Sequence, residues 1–376
     1  MAIVRFGDIV KDVKINVDRS NNPYEHYVAG DHMDSEDLTI HRYGSFKTDD
    51  VGPAFIRVFK PGQVLYGSRR TYLKKVAVAD FEGICANTTF VLESKDESLF
   101  DTRLLPFIML SNSFTRWSIA HSKGSTNPYV LFSDLADYEF ELQSLEEQKL
   151  LADKLWAAYR LKQSYRKLIV ATDEMVKSRF IEEFTNYEIQ RVSISDLCST
   201  FIDGDWIEAK DQSGSGYRLV QTGNVGVCEY IDKEEHARFV DEETFKRLNC
   251  TEIRPGDILF SRLPDPIGRC CMIPNGFPKA ITAVDCTITR LKDSCLPEYL
   301  MIYTTTTMYS EQIKTCITGT TRQRISRANL AKVQVPLPAI ERQQSFVDLV
   351  NQADKSKFEL KQAIEKIDKV MRALMQ

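Results

Sequence analysis

Long apolar runs are missing from this sequence. Leu104-Leu105-Pro106-Phe107-Ile108-Met109-Leu110 is about the longest, well short of the ~20 residues a membrane span requires. Nor does Met1-Ala2-Ile3-Val4-Arg5-Phe6-Gly7-Asp8 have the design of a signal peptide; it reads as folded strand. Membrane and secreted classes are set aside, and a cytoplasmic protein is expected. No Cys-x-x-Cys occurs, and the adjacent Cys270-Cys271 has the wrong spacing for a zinc knuckle. The nine cysteines, an odd number, are expected to be free thiols in a reducing compartment. The five histidines, His26, His32, His41, His121 and His236, show no i, i+4 pair, so no metal site is expected. A charge excess is lacking too: 49 Lys and Arg against 53 Asp and Glu leave −4. Bulk charge gives no reason to expect nucleic acid, and any such function needs a local basic face.

What is present is a chain of 376 residues, long enough for two or three folded units. It contains itself twice. Phe59-Lys60-Pro61-Gly62-Gln63-Val64-Leu65-Tyr66 returns 194 residues on as Ile253-Arg254-Pro255-Gly256-Asp257-Ile258-Leu259-Phe260. Gly124-Ser125-Thr126 returns 195 residues on as Gly319-Thr320-Thr321, and Leu135, Glu146 and Gln148 match Leu330, Glu341 and Gln343 at that same offset. Constant order at nearly constant spacing is the mark of a tandem duplication.

Within each copy a mixed region of Pro-Gly turns and β-rich runs is followed by a stretch without Gly or Pro, rich in Glu, Lys, Gln, Leu and Ala. These two stretches carry a heptad seam. In the second copy it runs Phe346, Val350, Ala353, Lys357, Leu360, Ile364, Ile367, Met371, Leu374. In the first it runs Leu151, Leu155, Ala158, Lys162, Tyr165, Ile169, Thr172, Val176, Arg179. A 3.5-residue seam held in one register predicts two long helices that pack along their length. If a two-fold axis relates the copies, the helices run antiparallel, along a rod of about 50 Å at ~1.5 Å per residue. The competing expectation is that each helix packs only on its own globular region.

Globule, long helix, globule, long helix resembles the specificity subunit of type I restriction–modification systems. The resemblance rests on Arg254-Pro255-Gly256-Asp257-Ile258-Leu259-Phe260-Ser261-Arg262 and on Gly319-Thr320-Thr321-Arg322-Gln323-Arg324-Ile325-Ser326. Val335-Pro336-Leu337-Pro338-Ala339-Ile340-Glu341-Arg342-Gln343, leading into the last helix, completes it. It covers essentially the whole chain. The first copy departs from the pattern: Phe140 to Gln148 holds no proline, and Asn127-Pro128-Tyr129-Val130 stands in place of Arg-Gln-Arg-Ile. The resemblance implies an α+β fold with target recognition domains at 1–142 and 185–338 and coiled-coil helices at 143–184 and 339–376. It implies that each globular domain reads half of a bipartite asymmetric DNA site, while the antiparallel helices set the gap. Two methyltransferase subunits, and two translocase–nuclease subunits where restriction is present, are the implied protein partners. S-adenosylmethionine, ATP and Mg²⁺ belong to those partners, and this chain is expected to hold no cofactor.

Phosphate neutralisation requires clustered basic residues, and three acid-free runs supply them. They are Gly67–Val78, Thr102–Ser133 and Gln312–Lys332, the last with Lys314, Arg322, Arg324, Arg327 and Lys332. Arg and Gln also suit the edges of guanine and adenine. The candidate DNA-binding residues in the first copy are Arg69, Arg70, Tyr72, Lys74, Lys75, Lys123, Ser125, Thr126 and Asn127. In the second they are Arg262, Arg269, Thr320, Thr321, Arg322, Gln323 and Arg324. His32 and Asn224 hold matching places where a turn cap is expected, and Trp117, Trp156 and Trp206 are expected to anchor core or interface.

An enzyme is not expected. Asn22-Pro23-Tyr24-Glu25 and Asn127-Pro128-Tyr129-Val130 lack the second proline of an adenine-methyltransferase motif, and Ser213-Gly214-Ser215-Gly216 fits neither a dinucleotide fingerprint nor a P-loop. The alternative from another class is a two-headed protein-interaction scaffold on a coiled-coil rod. Repeated acid-free Arg/Lys loops separate the readings, since a scaffold does not require them.

Overall fold

Pro61-Gly62 and Pro255-Gly256 build the same turn in both copies. Each glycine has φ +87, a backbone region that a side chain disfavours. The amides of Gln63 and Asp257 close the turns onto the carbonyls of Lys60 and Arg254 at 3.2 and 3.0 Å. The side chains of Gln63 and Asp257 accept the Lys60 and Arg254 amides in return, both at 2.8 Å. Each turn launches a central strand, Val64–Gly67 or Ile258–Ser261, whose apolar residues are buried.

The computed structural model describes residues 2–185, 188–319 and 323–375. Contacts divide it into two units, Met1–Arg166 with Lys361–Gln376, and Lys167–Leu360. These units cut across the sequence blocks 1–142, 143–184, 185–338 and 339–376, because each long helix gives its start to one unit and its end to the other.

In the first unit an antiparallel sheet runs Val10–Asp12, Thr89–Ser94, Val64–Gly67, Val76–Val78. A second sheet pairs His26–Val28 in parallel with Gly83–Ala86, flanked by Gly44–Ser45 and Phe55–Phe59. Ala2–Arg5 clasps Glu139–Leu142 beside the helix start. The second unit repeats this plan. Its antiparallel sheet runs Cys198–Asp203, Cys286–Leu291, Ile258–Ser261, Cys270–Met272. Tyr217–Val220 pairs in parallel with Ala280–Thr282, and Arg191–Ser193 clasps Gln334–Pro336. Where the first unit has the strand Phe55–Phe59, this unit keeps a single antiparallel bridge, Ile253 to Ala280.

The long helices are Leu145–Phe184 and Ile340–Leu374. The first starts at a reciprocal cap: the Ser144 amide donates to Glu147 Oε2 at 3.0 Å, and the Glu147 amide to Ser144 Oγ at 3.4 Å. One turn in, Gln148 is 2% exposed, and it has the same job as Gln343, 0% exposed. Gln148 accepts the Asp101 amide at 3.0 Å and donates to the carbonyls of Leu99 and Gln143 at 3.0 and 2.8 Å. Gln343 accepts the Leu296 amide and donates to the carbonyls of Ser294 and Pro338, each at 2.9 Å. The duplication therefore extends to individual hydrogen bonds.

Helix pairing is antiparallel within each unit. In the first, Lys162 meets Asp368 at 2.5 Å, while Leu155 and Leu374 belong to one apolar cluster. In the second, Lys357 meets Asp173 at 2.5 Å, and Phe346 packs on Phe180 and Phe184 at 5.4 and 5.3 Å between ring centroids. The seam residues Leu151, Leu155, Ala158, Tyr165, Ile169, Phe346, Val350, Ala353, Leu360, Ile364 and Ile367 are all buried or half-buried, whereas Arg179 is exposed. Pairing does not displace packing on the globule. In the first unit Leu155 and Tyr159 share a core with Phe6, Phe107 and Met371. No helix among the described residues is long and apolar enough to cross a membrane.

Candidate nucleic-acid interface

In the first unit, the strand Val64–Gly67 ends in a turn that carries Arg69, Arg70, Tyr72, Lys74 and Lys75. Arg70 and Lys74 are left-handed, with φ 50 and 48, so the chain doubles back on itself. The loop that holds Lys123, Ser125, Thr126 and Asn127 docks against this turn. The Lys123 and Tyr129 backbones exchange hydrogen bonds at 2.7 and 2.9 Å. The Arg70 amide donates to the Pro128 carbonyl at 2.7 Å, and Val130 donates to Ser68 at 3.0 Å. Two runs separated in sequence by some fifty residues thus form one surface.

Their charges are not equivalent. Arg69 and Arg70 are exposed and form no ion pair among the described residues; Arg70 Nε reaches only Asn127 Oδ1, at 3.3 Å. Lys74 is paired with Glu36 at 2.7 Å, and Lys123 with Asp134 at 3.0 Å. Lys75 Nζ donates to the Gly30 carbonyl. Tyr72, 54% exposed, stands beside the arginines, and Ser125, Thr126 and Asn127 are exposed on the loop. Two unneutralised guanidinium groups next to an exposed phenol and small polar side chains suit phosphate or base edges.

The second unit repeats the junction. The Ile325 amide donates to the Arg262 carbonyl at 3.1 Å, in the place where Val130 donates to Ser68. Gln323 and Arg324 are exposed at this junction, and the Arg324 guanidinium has no ion pair among the described residues. Thr320, Thr321 and Arg322 lie outside the described residues. Arg262 is largely covered, its side chain 12% exposed, 3.4 Å from Asp203 and donating to the Val284 carbonyl at 2.6 Å. Asp203 also faces Arg327 at 3.9 Å.

Arg269 has a structural place. Its guanidinium donates to the carbonyls of Val225, Leu263, Pro266 and Thr222 at 2.6, 2.9, 3.1 and 2.8 Å. With four of its N–H groups committed to the backbone it clamps two loops together, and little remains for a base edge. His32 and Asn224 are turn caps in both copies: His32 Nδ1 accepts the Ala29 amide at 3.1 Å and Asn224 Oδ1 the Gln221 amide at 3.0 Å.

Trp117 and Trp156 are anchored through Nε1 to the carbonyls of Asp134 and Arg103 at 2.8 and 2.9 Å. Trp206 departs from the anchoring expectation, being 70% exposed. It follows Asp205, whose amide donates to the Thr282 carbonyl at 2.8 Å, two residues before the Val284 carbonyl that Arg262 holds. Sequence reasoning missed this exposed indole and the Asp203 carboxylate beside Arg262.

Residues 186–369 match the family model described as type I restriction modification DNA specificity domain. Over 148 residues the chain is 29% identical to the type I restriction enzyme EcoDI specificity subunit of Escherichia coli, which covers 39% of this chain and 32% of that protein. The match therefore spans about a third of that relative's length. A match of 21% identity over 403 residues, covering 99% of this chain and 90% of the other, relates it to the type I restriction enzyme MjaVIII specificity subunit of Methanocaldococcus jannaschii. A solved structure described as underlying complex assembly and conformational transition of the type I R-M system shares the fold. Its TM-score is 0.63 at 20% identity, with 100% of this chain and 96% of that one covered.

Proposed function

Because the chain belongs to the family of type I restriction–modification specificity subunits, we propose that it is the DNA-recognition component of such a complex and catalyses no reaction itself. Each globular region reads one half of a split, asymmetric site, and the paired helices set the gap. The observation that carries this reading is the repeated junction of strand end and loop. In both units it presents exposed Arg and Gln or Asn side chains, with no acid paired to Arg69, Arg70 or Arg324 among the described residues. Different residues at the two junctions suit different half-sites.

Methyltransferase subunits, two in number, are the proposed protein partners, joined by translocase–nuclease subunits where restriction operates. S-adenosylmethionine, ATP and Mg²⁺ are assigned to those partners. Exposed apolar residues on the first helix support docking: Leu150 and Leu161 are 56% and 44% exposed, and further along Leu168 and Met175 are 51% and 47% exposed. A lone helix face of leucine and methionine suits a partner helix.

The test is a methylome. The chain is co-expressed with its methyltransferase partner, and N6-methyladenine is mapped by long-read sequencing against a control without the chain. A split motif that depends on the chain is the expected result. Identical methylation in the two strains, with the methyltransferase shown to be active through another specificity subunit, would refute the proposal.

A further inference from the structure

We propose that Asp37 is a positioning residue that locks the DNA-reading turn of the first unit to the long helix, and so restricts the gap length the complex accepts; this rests on the recognition reading above. Asp37 is 7% exposed and collects donors from two directions. Its Oδ1 accepts the Tyr159 hydroxyl at 2.5 Å, the Gln163 amide at 3.0 Å and the Thr39 backbone amide at 3.0 Å. Its Oδ2 accepts Arg166 at 3.0 Å and lies 3.4 Å from His41 Nε2. Tyr159, Gln163 and Arg166 are spaced i, i+4, i+7, on one face of the helix. The Tyr159 oxygen also accepts the Leu38 amide at 2.9 Å, so backbone and carboxylate are gripped together.

The residues just before Asp37 hold the other side. The Glu36 amide donates to the Lys74 carbonyl at 3.1 Å, the Glu36 carboxylate pairs with Lys74 at 2.7 Å, and Ser35 bridges Lys75 in antiparallel register. Three consecutive residues, Ser35 to Asp37, thus connect the helix to the turn bearing Arg69, Arg70 and Tyr72. No flexible segment intervenes, and a shift of the turn relative to the helix breaks several charge-assisted bonds at once.

The second unit has no such lock among the described residues. Its left-handed Cys228, φ 58, matches left-handed Glu36, φ 54, 192 residues on, which puts Glu229 opposite Asp37. Glu229 is exposed and has no ion pair among the described residues. At the helix positions 195 residues beyond Tyr159 and Gln163 stand Asp354 and Phe358, the latter 61% exposed. Neither side chain has the hydroxyl or amide donor that stands at those places in the first unit. The duplication repeats the scaffold and leaves this device in one copy, which marks it as more than part of the fold.

The test uses the whole complex on DNA carrying the native split motif with its gap intact, one base pair longer or one shorter. Asp37→Asn and Tyr159→Phe are expected to raise methylation of the altered gaps relative to the native gap about tenfold, with both half-site sequences unchanged. Glu229→Gln is the matching control and is expected to leave the ratio alone. Should Asp37→Asn fail to fold, Tyr159→Phe, which keeps its ring in the core, and Gln163→Ala carry the same comparison. Folded variants that keep the native ratio, or that lose methylation equally at all gaps, overturn the inference. If the unmodified chain directs methylation to no split motif, the recognition reading fails and takes this inference with it.

Discussion

Lys162 and Asp368 form an ion pair at 2.5 Å between the two long helices, and it recurs 195 residues on, with the helices exchanging roles, as Lys357 and Asp173 at 2.5 Å. Lys162 is 7% exposed, and a lysine charge so covered is tolerable only when matched. The pair fixes helix register, as polar seam residues do in coiled coils.

The two pairs differ in environment, and their removal is expected to differ in cost. Lys162→Met strands Asp368, which is 28% exposed, and is expected to destabilise the fold by about 2 kcal/mol, below the ~3–5 kcal/mol of a fully buried pair. Lys357→Met leaves Asp173 46% exposed, and about 0.5–1 kcal/mol is expected. Denaturant midpoints measure both. Equal losses would contradict this account.

Gln148→Ala and Gln343→Ala are expected to cost alike, about 2–3 kcal/mol, since each strands one backbone amide and two carbonyls in a buried site. Thermal melting checks this. A neutral result at either position contradicts the equivalence of the two helix starts.

Arginines of the two kinds are separable. Arg69→Ala with Arg70→Ala is expected to leave the melting temperature within a degree or so and to lower the salt dependence of DNA binding by about one unit of slope per phosphate contact. Arg269→Ala is expected to destabilise by about 2 kcal/mol, because four carbonyls each lose a charged donor and the two loops lose their clamp. Calorimetry and a salt titration of each variant read the two effects apart.

Trp206 is expected to dominate the quenchable tryptophan fluorescence, because Trp117 and Trp156 are half-buried and Trp206 is 70% exposed. Trp206→Phe is expected to remove most of the acrylamide-accessible emission. If the accessible fraction persists, the indole is covered in solution.

Burial pushes the Asp37 carboxyl up, but hydrogen bonds from Tyr159, Thr39 and Gln163 and the charge of His41 bring it below its ordinary value. Burial and the Asp37 carboxylate push the Tyr159 phenol up to about 12, so it remains a donor at neutral pH. A depressed carboxyl stabilises the fold above its unfolded value of about 3.9, and that contribution is lost as pH falls through the folded value. Asp37→Asn is therefore expected to flatten the acid limb of the stability profile below about pH 4. An unchanged limb would show that Asp37 does not contribute to it.

The duplication, both Pro-Gly turns, both long helices and the seam were legible in the sequence because each depends on local order. Turns need glycine at a positive φ, helices need an unbroken run without Gly or Pro, and a seam needs a 3.5-residue period. The shared surface of the 69–75 turn and the 123–127 loop was legible only as two basic runs.

Which basic residues remain free was settled by the tertiary structure, since their acids arrive from elsewhere in the chain. Glu36 reaches Lys74, Asp134 reaches Lys123 from just past the acid-free run, and Asp203 reaches Arg262. Carbonyl contacts from four loop positions turned Arg269 from a candidate reader into a clamp. The lock at Asp37 depends on Tyr159, 122 residues away. Periodicity and turn chemistry are properties of neighbours along the chain, whereas neutralisation and hydrogen-bond saturation belong to neighbours in space, which only folding brings together.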